Sequence, residues 1–332
     1  MISCLVTIMR WAILFSIIAN IASAFHFQAR NSLPRPSLAA QSAGRIMSVA
    51  PSPSLLLSRT ASTSLGYSSL TDTSGVIDIS EGAPRDVESL GEWAAGYGAQ
   101  TSEGFQLFDS GEDENDVFAI TNHDLPEGSP VLFIPNCLML TGSKAMEELG
   151  ADVYGVEQSL DASDQLSQFY LFLKVLKEYE LCQESPWYPW LNSLPRYYSN
   201  GASMTDFCFG CLPPYAAELA LGEKKRLERF VRALDQVPFL SSESKSDEDL
   251  TRWAFAVVHT RCMALPDGDS CIVPMADYFN HGGIETDVYI TYDDDGNCYA
   301  YSTRDIPAGQ PLRMCYGDPT NPSDLLARYG FL

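Results

Sequence analysis

The chain has 332 residues, 45% of them hydrophobic and 11% aromatic. That is enough for one large domain or two moderate ones around a buried core, and it excludes a disordered protein. A formal net charge of -22 argues against nucleic acid and anionic membrane surfaces as partners, since both would repel it. Such acidity is most simply a solvated surface, and it also fits an enzyme acting on basic or neutral protein segments.

From the N-terminus, residues 11–24 are almost entirely apolar, follow Arg10 and end Ile21-Ala22-Ser23-Ala24-Phe25. A short apolar core with small residues before a cut predicts a signal peptide over 1–24 rather than a membrane span. Residues 25–70 carry Arg30, Arg35, Arg45 and Arg59 among Ser, Ala and Pro, with no acidic residue before Asp72. That is the composition of a disordered transit segment. A signal peptide running into a transit segment, with Phe25 at the junction, resembles a bipartite plastid presequence. It implies delivery to the plastid stroma, with no membrane association after processing; plain secretion is the alternative. Nine cysteines, an odd number without framework spacing, read as reduced thiols and speak against secretion. Cys208 and Cys211 form a lone CxxC with no second pair to complete a zinc site, so no metal is expected.

The globular part begins near Val87. Residues 104–108 and 117–120 read as strands, with an acidic hairpin tip over 109–116 between them and a Pro-Glu-Gly turn at 124–128. Residues 131–135 read as a buried strand, extended by 137–141. The texture then becomes helical. Leu166, Phe169, Tyr170, Leu173, Leu176 and Tyr179 predict a helix over 163–181, capped by Ser163 or Asp164. An aromatic, proline-rich connection (186–195) precedes further helices over 214–221, 224–234 and 247–262, the last burying Trp253, Phe255, Ala256 and Val257. Strands return at 288–292 and 298–301, joined by the Asp293-Asp294-Asp295-Gly296 turn. There is no internal repeat. Helices between two β segments predict an α+β protein with a helical subdomain. The expected divisions are an N-terminal β half (88–160), a helical insert (161–255) and a C-terminal β half (256–332).

Two segments carry more information. One reads Val273-Pro274-Met275-Ala276-Asp277-Tyr278-Phe279-Asn280-His281; the other reads Leu312-Arg313-Met314-Cys315-Tyr316-Gly317, then Asn321, then Leu325-Leu326-Ala327-Arg328-Tyr329-Gly330-Phe331. Together they resemble the closing motifs of SET-domain methyltransferases, and within these the plant-type, split-SET branch of the Rubisco large-subunit methyltransferase. The resemblance runs from about Gly91 to the end of the chain. It implies a SET-type β fold with an inserted helical subdomain and a C-terminal pseudoknot, an exception to the usual rule against threading. It also implies S-adenosylmethionine (AdoMet) as cofactor and a protein substrate presenting a side chain, usually lysine.

Carried onto this sequence, the resemblance places Asn280 and His281 against AdoMet and pairs Arg261 with its carboxylate. Tyr316 becomes the orienting hydroxyl, with Tyr329 beside it. Methyl transfer from a sulfonium is an in-line displacement that needs alignment and a neutral amine, and desolvation supplies the latter by lowering a lysine pKa. His123 and His259 lie off the motifs and read as structural. The chain departs from the family in two places. The early Gly-x-Gly keeps Gly104 but has Gln106 at its second position, leaving Glu103 and Phe105 to offer backbone contacts to the cofactor. No C-terminal helical substrate-binding domain follows, so recognition is expected to fall to the insert unless the sequence is truncated. A histidine acceptor, or a SET-fold binding module without turnover, remain as alternatives. A hydrolase is disfavoured by the absence of a Gly-x-Ser-x-Gly elbow.

Overall fold

The computed structural model describes residues 75–109, 117–150, 153, 155–156, 160, 165–318 and 320–331. The presequence, residues 110–116 of the acidic tip, the helix caps Ser163 and Asp164, and Leu332 lie outside the described residues.

Helix α1 (Glu88–Gly96) leads into β1 (Gln100–Thr101), β2 (Phe105–Asp109), β3 (Val117–Thr121) and β4 (Pro130–Ile134). The last three match the predicted strands to within a residue. The predicted extension of β4 through 137–141 does not occur. Pro135 offers no N–H to a ladder, and the chain turns through a 3-10 helix, Asn136–Leu138. The Asn136 N–H donates to Asn297 Oδ1 (2.9 Å). Leu140–Thr141 (β5) then joins a different sheet, against Ser270–Ile272.

The helices follow: α2 (Gly142–Leu149), α3 (Leu166–Glu180), α4 (Pro214–Ala233) and α5 (Glu248–Arg261). Where the sequence suggested two helices over 214–234 there is one. Gly222 sits inside α4 with open space where a Cβ would project. It therefore costs about 1 kcal/mol of helix propensity without forcing a break. Asp247 caps α5 by accepting from the N–H groups of Asp249 and Leu250 (3.0 and 2.9 Å). Phe230 of α4 lies edge-on to both Phe169 of α3 (5.2 Å) and Phe255 of α5 (5.5 Å). All three rings are fully buried, and each contributes roughly 1.5–3 kcal/mol by leaving water.

The remaining elements are β6 (Met263–Ala264), β7 (Ser270–Ile272), β8 (Asn280–His281), β9 (Val288–Tyr292), β10 (Cys298–Ser302), β11 (Gln310–Pro311), β12 (Arg313–Met314) and α6 (Pro322–Tyr329). Strands from the two ends of the described chain share sheets: β1-β4-β10-β9 and β11-β3-β2, alongside β5-β7-β6. Helices α2 to α5 are segregated in sequence between them, so the fold is α+β. One pair among the described strands differs. β8 and β12 run parallel, with Asn280 beside Arg313 and His281 beside Met314.

Candidate active site

The parallel pair β8/β12 is what brings the two motifs together. Its close approach depends on Gly282, where a Cβ would come within 2.6 Å of Glu285 O and 2.8 Å of Arg313 Cβ. Just beyond β12, the Tyr316 N–H donates to His281 Nδ1 (3.1 Å). An Nδ1 that accepts cannot carry a proton, so His281 is the neutral tautomer protonated at Nε2. Partial burial lowers its pKa, in the same direction.

Tyr329 arrives from α6, whose N-cap Asn321 precedes Pro322 at the first helical position. The helix ends at Gly330, which is left-handed (φ 87°) and would place a Cβ 2.2 Å from Ser199 O. Only glycine fits there, and this fixes where Tyr329 and Phe331 point. The Tyr316 and Tyr329 rings lie 4.8 Å apart, and His281 lies 5.4 Å from Tyr316 and 5.6 Å from Phe331. The Tyr316 hydroxyl donates to the Phe279 carbonyl (2.7 Å). Burial raises the pKa of both tyrosines, so both hydroxyls keep their protons at neutral pH.

Phe279 belongs to a turn that begins with strain. Met275 has φ 71° and ψ -42°, near a γ-turn geometry that costs an L-residue about 1–3 kcal/mol. Hydrogen bonds hold the turn shut: Asp277 N–H to Val273 O (3.0 Å) and Phe279 N–H to Ala276 O (3.1 Å). Tyr278, wholly buried, donates to Ser193 (2.8 Å). Asp277 has a fully buried side chain. Its Oδ2 accepts from Arg261 Nη1 (2.9 Å) and Trp190 Nε1 (3.1 Å), while Oδ1 is buried with no hydrogen-bond partner among the described residues. Arg261 also donates to the Asp277 carbonyl (2.9 Å) and to Tyr198 (3.2 Å), and its guanidinium lies over the Tyr278 ring at 5.0 Å. Burial alone would lower its pKa, but Tyr198 and Asp277 more than offset this and raise it.

This turn is a wall shared by two cavities. The first, about 640 Å³, is lined by Arg261, Asp277, Phe279, Tyr316 and Tyr329 among others. The second, about 580 Å³, is lined by Phe105, Gln106, Leu107, Met275 and small residues of α1. Thus Arg261, Tyr316 and Tyr329 share one cavity and Phe105 lines the other, its ring edge-on to Phe279 at 6.2 Å. Asn280 and His281 line neither; His281 backs Tyr316, and Asn280 is exposed. Glu103 is 88% exposed, with only His123 nearby at 3.7 Å. Sequence reasoning assigned no part to Asp277, Phe279 or Phe331, although all three lie inside the quoted motifs. Nothing in their spacing signals a buried carboxylate, an acceptor carbonyl or a ring contact. Trp190 lies in the aromatic, proline-rich connection, but nothing in the sequence paired it with Asp277.

No family model matches the sequence, and no curated protein matches it. Solved structures do match. The Rubisco LSMT structure bound to AdoMet is 17% identical, with a TM-score of 0.58 over 75% of this chain and 57% of that one. The SET domain of LSMT bound to lysine and AdoHcy is 16% identical, with a TM-score of 0.58 over 74% and 57%. Rubisco LSMT bound to sinefungin and monomethyllysine is 16% identical, with a TM-score of 0.57 over 74% and 56%. The chain therefore spans a little over half the length of these structures. At such identities the likeness is one of fold, and the fold of this chain is that of the SET-domain methyltransferases.

Proposed function

We propose that this protein transfers a methyl group from AdoMet to a lysine side chain of another protein. One observation carries the reading: the protonated Tyr316 hydroxyl lines the first cavity with the Tyr329 ring 4.8 Å from its own, and is seated on the Phe279 carbonyl of the turn that separates that cavity from the second. The matching structures are of proteins bound to AdoMet, to lysine and to monomethyllysine, which supports the same pairing of ligands here.

The residues fit such a cofactor. The second cavity falls in the size range of small-molecule sites. The unpartnered, buried Asp277 Oδ1 and the Phe279 carbonyl are acceptors suited to a positively charged group. Asn280, exposed, and the backbone at Phe105 and Glu103 would complete the hold. Arg261 lines the first cavity and already spends Nε and Nη1 on Tyr198 and Asp277, so its part is to hold the turn between the cavities rather than to pair with a cofactor carboxylate in the second. When bound, AdoMet supplies an electrophilic methyl group on a sulfonium. This chain supplies alignment. The Tyr316 oxygen, having donated its proton to Phe279 O, keeps lone pairs to accept an amine N–H and so aim the nitrogen lone pair. Desolvation beside buried tyrosines lowers the lysine pKa and releases its proton to solvent. No side chain need act as a base.

The substrate is proposed to be a plastid stromal protein, on the strength of the presequence reading. Tracking a fluorescent protein fused after residue 70 tests this, and secretion of the fusion would overturn it. A binding module without turnover is the competing reading. It rests on Gln106 in place of a second glycine, paired in strand register with Ile120. Calorimetric titration of AdoMet into the full chain separates the two when combined with a labelled-methyl assay. Methyl transfer expects binding in the unmutated protein, weaker binding in Asn280→Ala, and retained binding without transfer in Tyr316→Phe. Absence of AdoMet binding to the unmutated protein would end the enzyme reading.

A further inference from the structure

Strand β10 buries Cys298, Ala300 and Ser302 and turns Tyr299 and Tyr301 to the opposite face. The outer face of an antiparallel sheet is ordinarily polar. Here it carries aromatic rings in mutual contact across three adjacent strands. Phe133 of β4 lies 5.0 Å from Tyr299; Tyr299 stacks on Tyr301 at 6.1 Å and 13°; Tyr301 stacks on Tyr289 of β9 at 5.6 Å and 26°. Tyr289 is 49% exposed. Cross-strand ring pairs stabilise a sheet by some tenths of a kcal/mol each, and that alone would account for the stacking. Two further facts set this row apart. At one end Tyr289 also lines the first cavity. At the other the Tyr299 hydroxyl is anchored to Asp293 Oδ2 (3.1 Å), and the next residues, Asp294 and Asp295, are exposed, with no hydrogen bond or ion pair on their carboxylates among the described residues.

The geometry points to this row as a docking site for a cationic segment of the protein substrate, with arginine or lysine side chains flanking the acceptor lysine laid along the row from the half-exposed Tyr289 toward Asp294 and Asp295. The inference rests on the methyl-transfer reading for which residue enters the cavity, but not for the docking itself. Cations are drawn to aromatic rings, and the Asp294 and Asp295 carboxylates add attraction of the same sign. From Tyr299 to Tyr289 the row spans about three residues of extended chain at most. The favoured substrate therefore carries its basic residues within a few positions of the acceptor.

Three peptides of equal length, each with one central lysine and flanked by arginine, by glutamine, or by proline and leucine, test this when titrated into the full chain. The arginine-flanked peptide is expected to bind about tenfold more tightly than the glutamine-flanked one, with the preference shrinking as salt rises. Tyr301→Leu, which keeps apolar area but removes the ring face, should erase most of that preference. So should the double variant Asp294→Asn with Asp295→Asn, whose exposed positions put the fold at no risk. Equal binding of the arginine and glutamine peptides, a preference untouched by both variants, or tightest binding of the proline–leucine peptide would each overturn the proposal. A labelled-methyl assay on the same peptides keeps the two readings apart. Binding that depends on the tyrosine row, without AdoMet binding or transfer, would leave the docking site standing and remove the enzyme. Equally efficient transfer to the arginine and glutamine peptides would do the reverse.

Discussion

The two cavities on either side of the 275–279 turn are built in different ways. In the first, every predicted side chain is tied to another: Arg261 to Asp277, Tyr316 to Phe279 and His281, and Tyr329 against Tyr316. In the second, the strand Phe105-Gln106-Leu107 and the small residues Gly91, Ala95 and Ala99 make up much of the wall, with Val87, Glu88, Thr101 and Met275 completing it. The difference teaches where side-chain chemistry should matter. Groups locked by neighbours hold a reacting geometry, which tolerates little displacement. A wall of backbone and small residues offers shape, and shape survives most single substitutions. Changes on the first side should therefore cost stability and turnover, and changes on the second should cost affinity at most.

The largest effect is expected from Arg261→Met. It leaves the Asp277 carboxylate, with no exposed surface, buried opposite an apolar chain. Breaking such a pair from one side costs about 3–5 kcal/mol, read as a lower denaturation midpoint. Adding Asp277→Asn should recover part of that loss. If Arg261→Met unfolds like the unmutated protein, the first cavity is not held by this pair and the contrast between the two sides weakens. Next comes Tyr316→Phe, which removes the hydroxyl from the Phe279 carbonyl. Loss of one aimed group at a reacting centre costs about 10²-fold in kcat, with AdoMet affinity unchanged. A tenfold loss of AdoMet affinity in this variant would place the cofactor on the wrong side of the turn.

What the sequence revealed follows the same division. The β9–β10 hairpin was legible because Asp-Gly punctuates two alternating strands. Helix α5 was legible through Asp247 and its buried periodicity. Tyr316, Tyr329 and the Asn280–His281 pair were legible as motif. The parallel pairing of β8 with β12 was not, because two-residue strands carry no periodicity. The left-handed Met275 was invisible, since nothing about methionine or its neighbours asks for a positive φ. Asp277 could not be paired with Arg261 across sixteen residues without the turn that Met275 begins. Gly222 misled because a glycine in a helix costs propensity whether or not the helix breaks.

A smaller effect sharpens the contrast through pH. His281 accepts the Tyr316 N–H at Nδ1, and burial holds its pKa below the usual 6.5. Burial likewise lowers the pKa of His259, set 2.5 Å from Glu223 and stacked on Phe255, although Glu223 opposes the shift. In both cases the unfolded chain binds a proton more readily than the folded one. Stability from these groups is therefore full above pH 6.5 and is lost as pH falls through the interval between 6.5 and the lowered folded value. Denaturation midpoints should fall between pH 7.5 and 5, before the carboxylates titrate, and His281→Gln should flatten part of that slope. A midpoint independent of pH in the unmutated protein would show that neither histidine is held neutral by the fold.

The smallest effect belongs to Glu103, just ahead of the strand that walls the second cavity, and it is the sharpest test of the contrast because so little is expected. Glu103 stands 88% exposed, with one loose contact to His123 at 3.7 Å, a geometry in which an ion pair contributes next to nothing. If this stretch serves the cofactor, it does so through its main chain. Its path is fixed by the β2–β3 register and by Gly104, whose φ of 85° no other residue adopts easily. Glu103→Ala leaves that path intact, so AdoMet affinity measured by calorimetry should change by less than about twofold, the scale of a surface substitution. Gly104→Ala makes the opposite change, keeping the charge and straining the path: a Cβ there meets the His123 backbone nitrogen at 2.8 Å. It should weaken AdoMet binding where Glu103→Ala does not. Were Glu103→Ala the more damaging of the two, the second cavity would be reading its ligand through a side chain after all, and the two walls would not differ in kind.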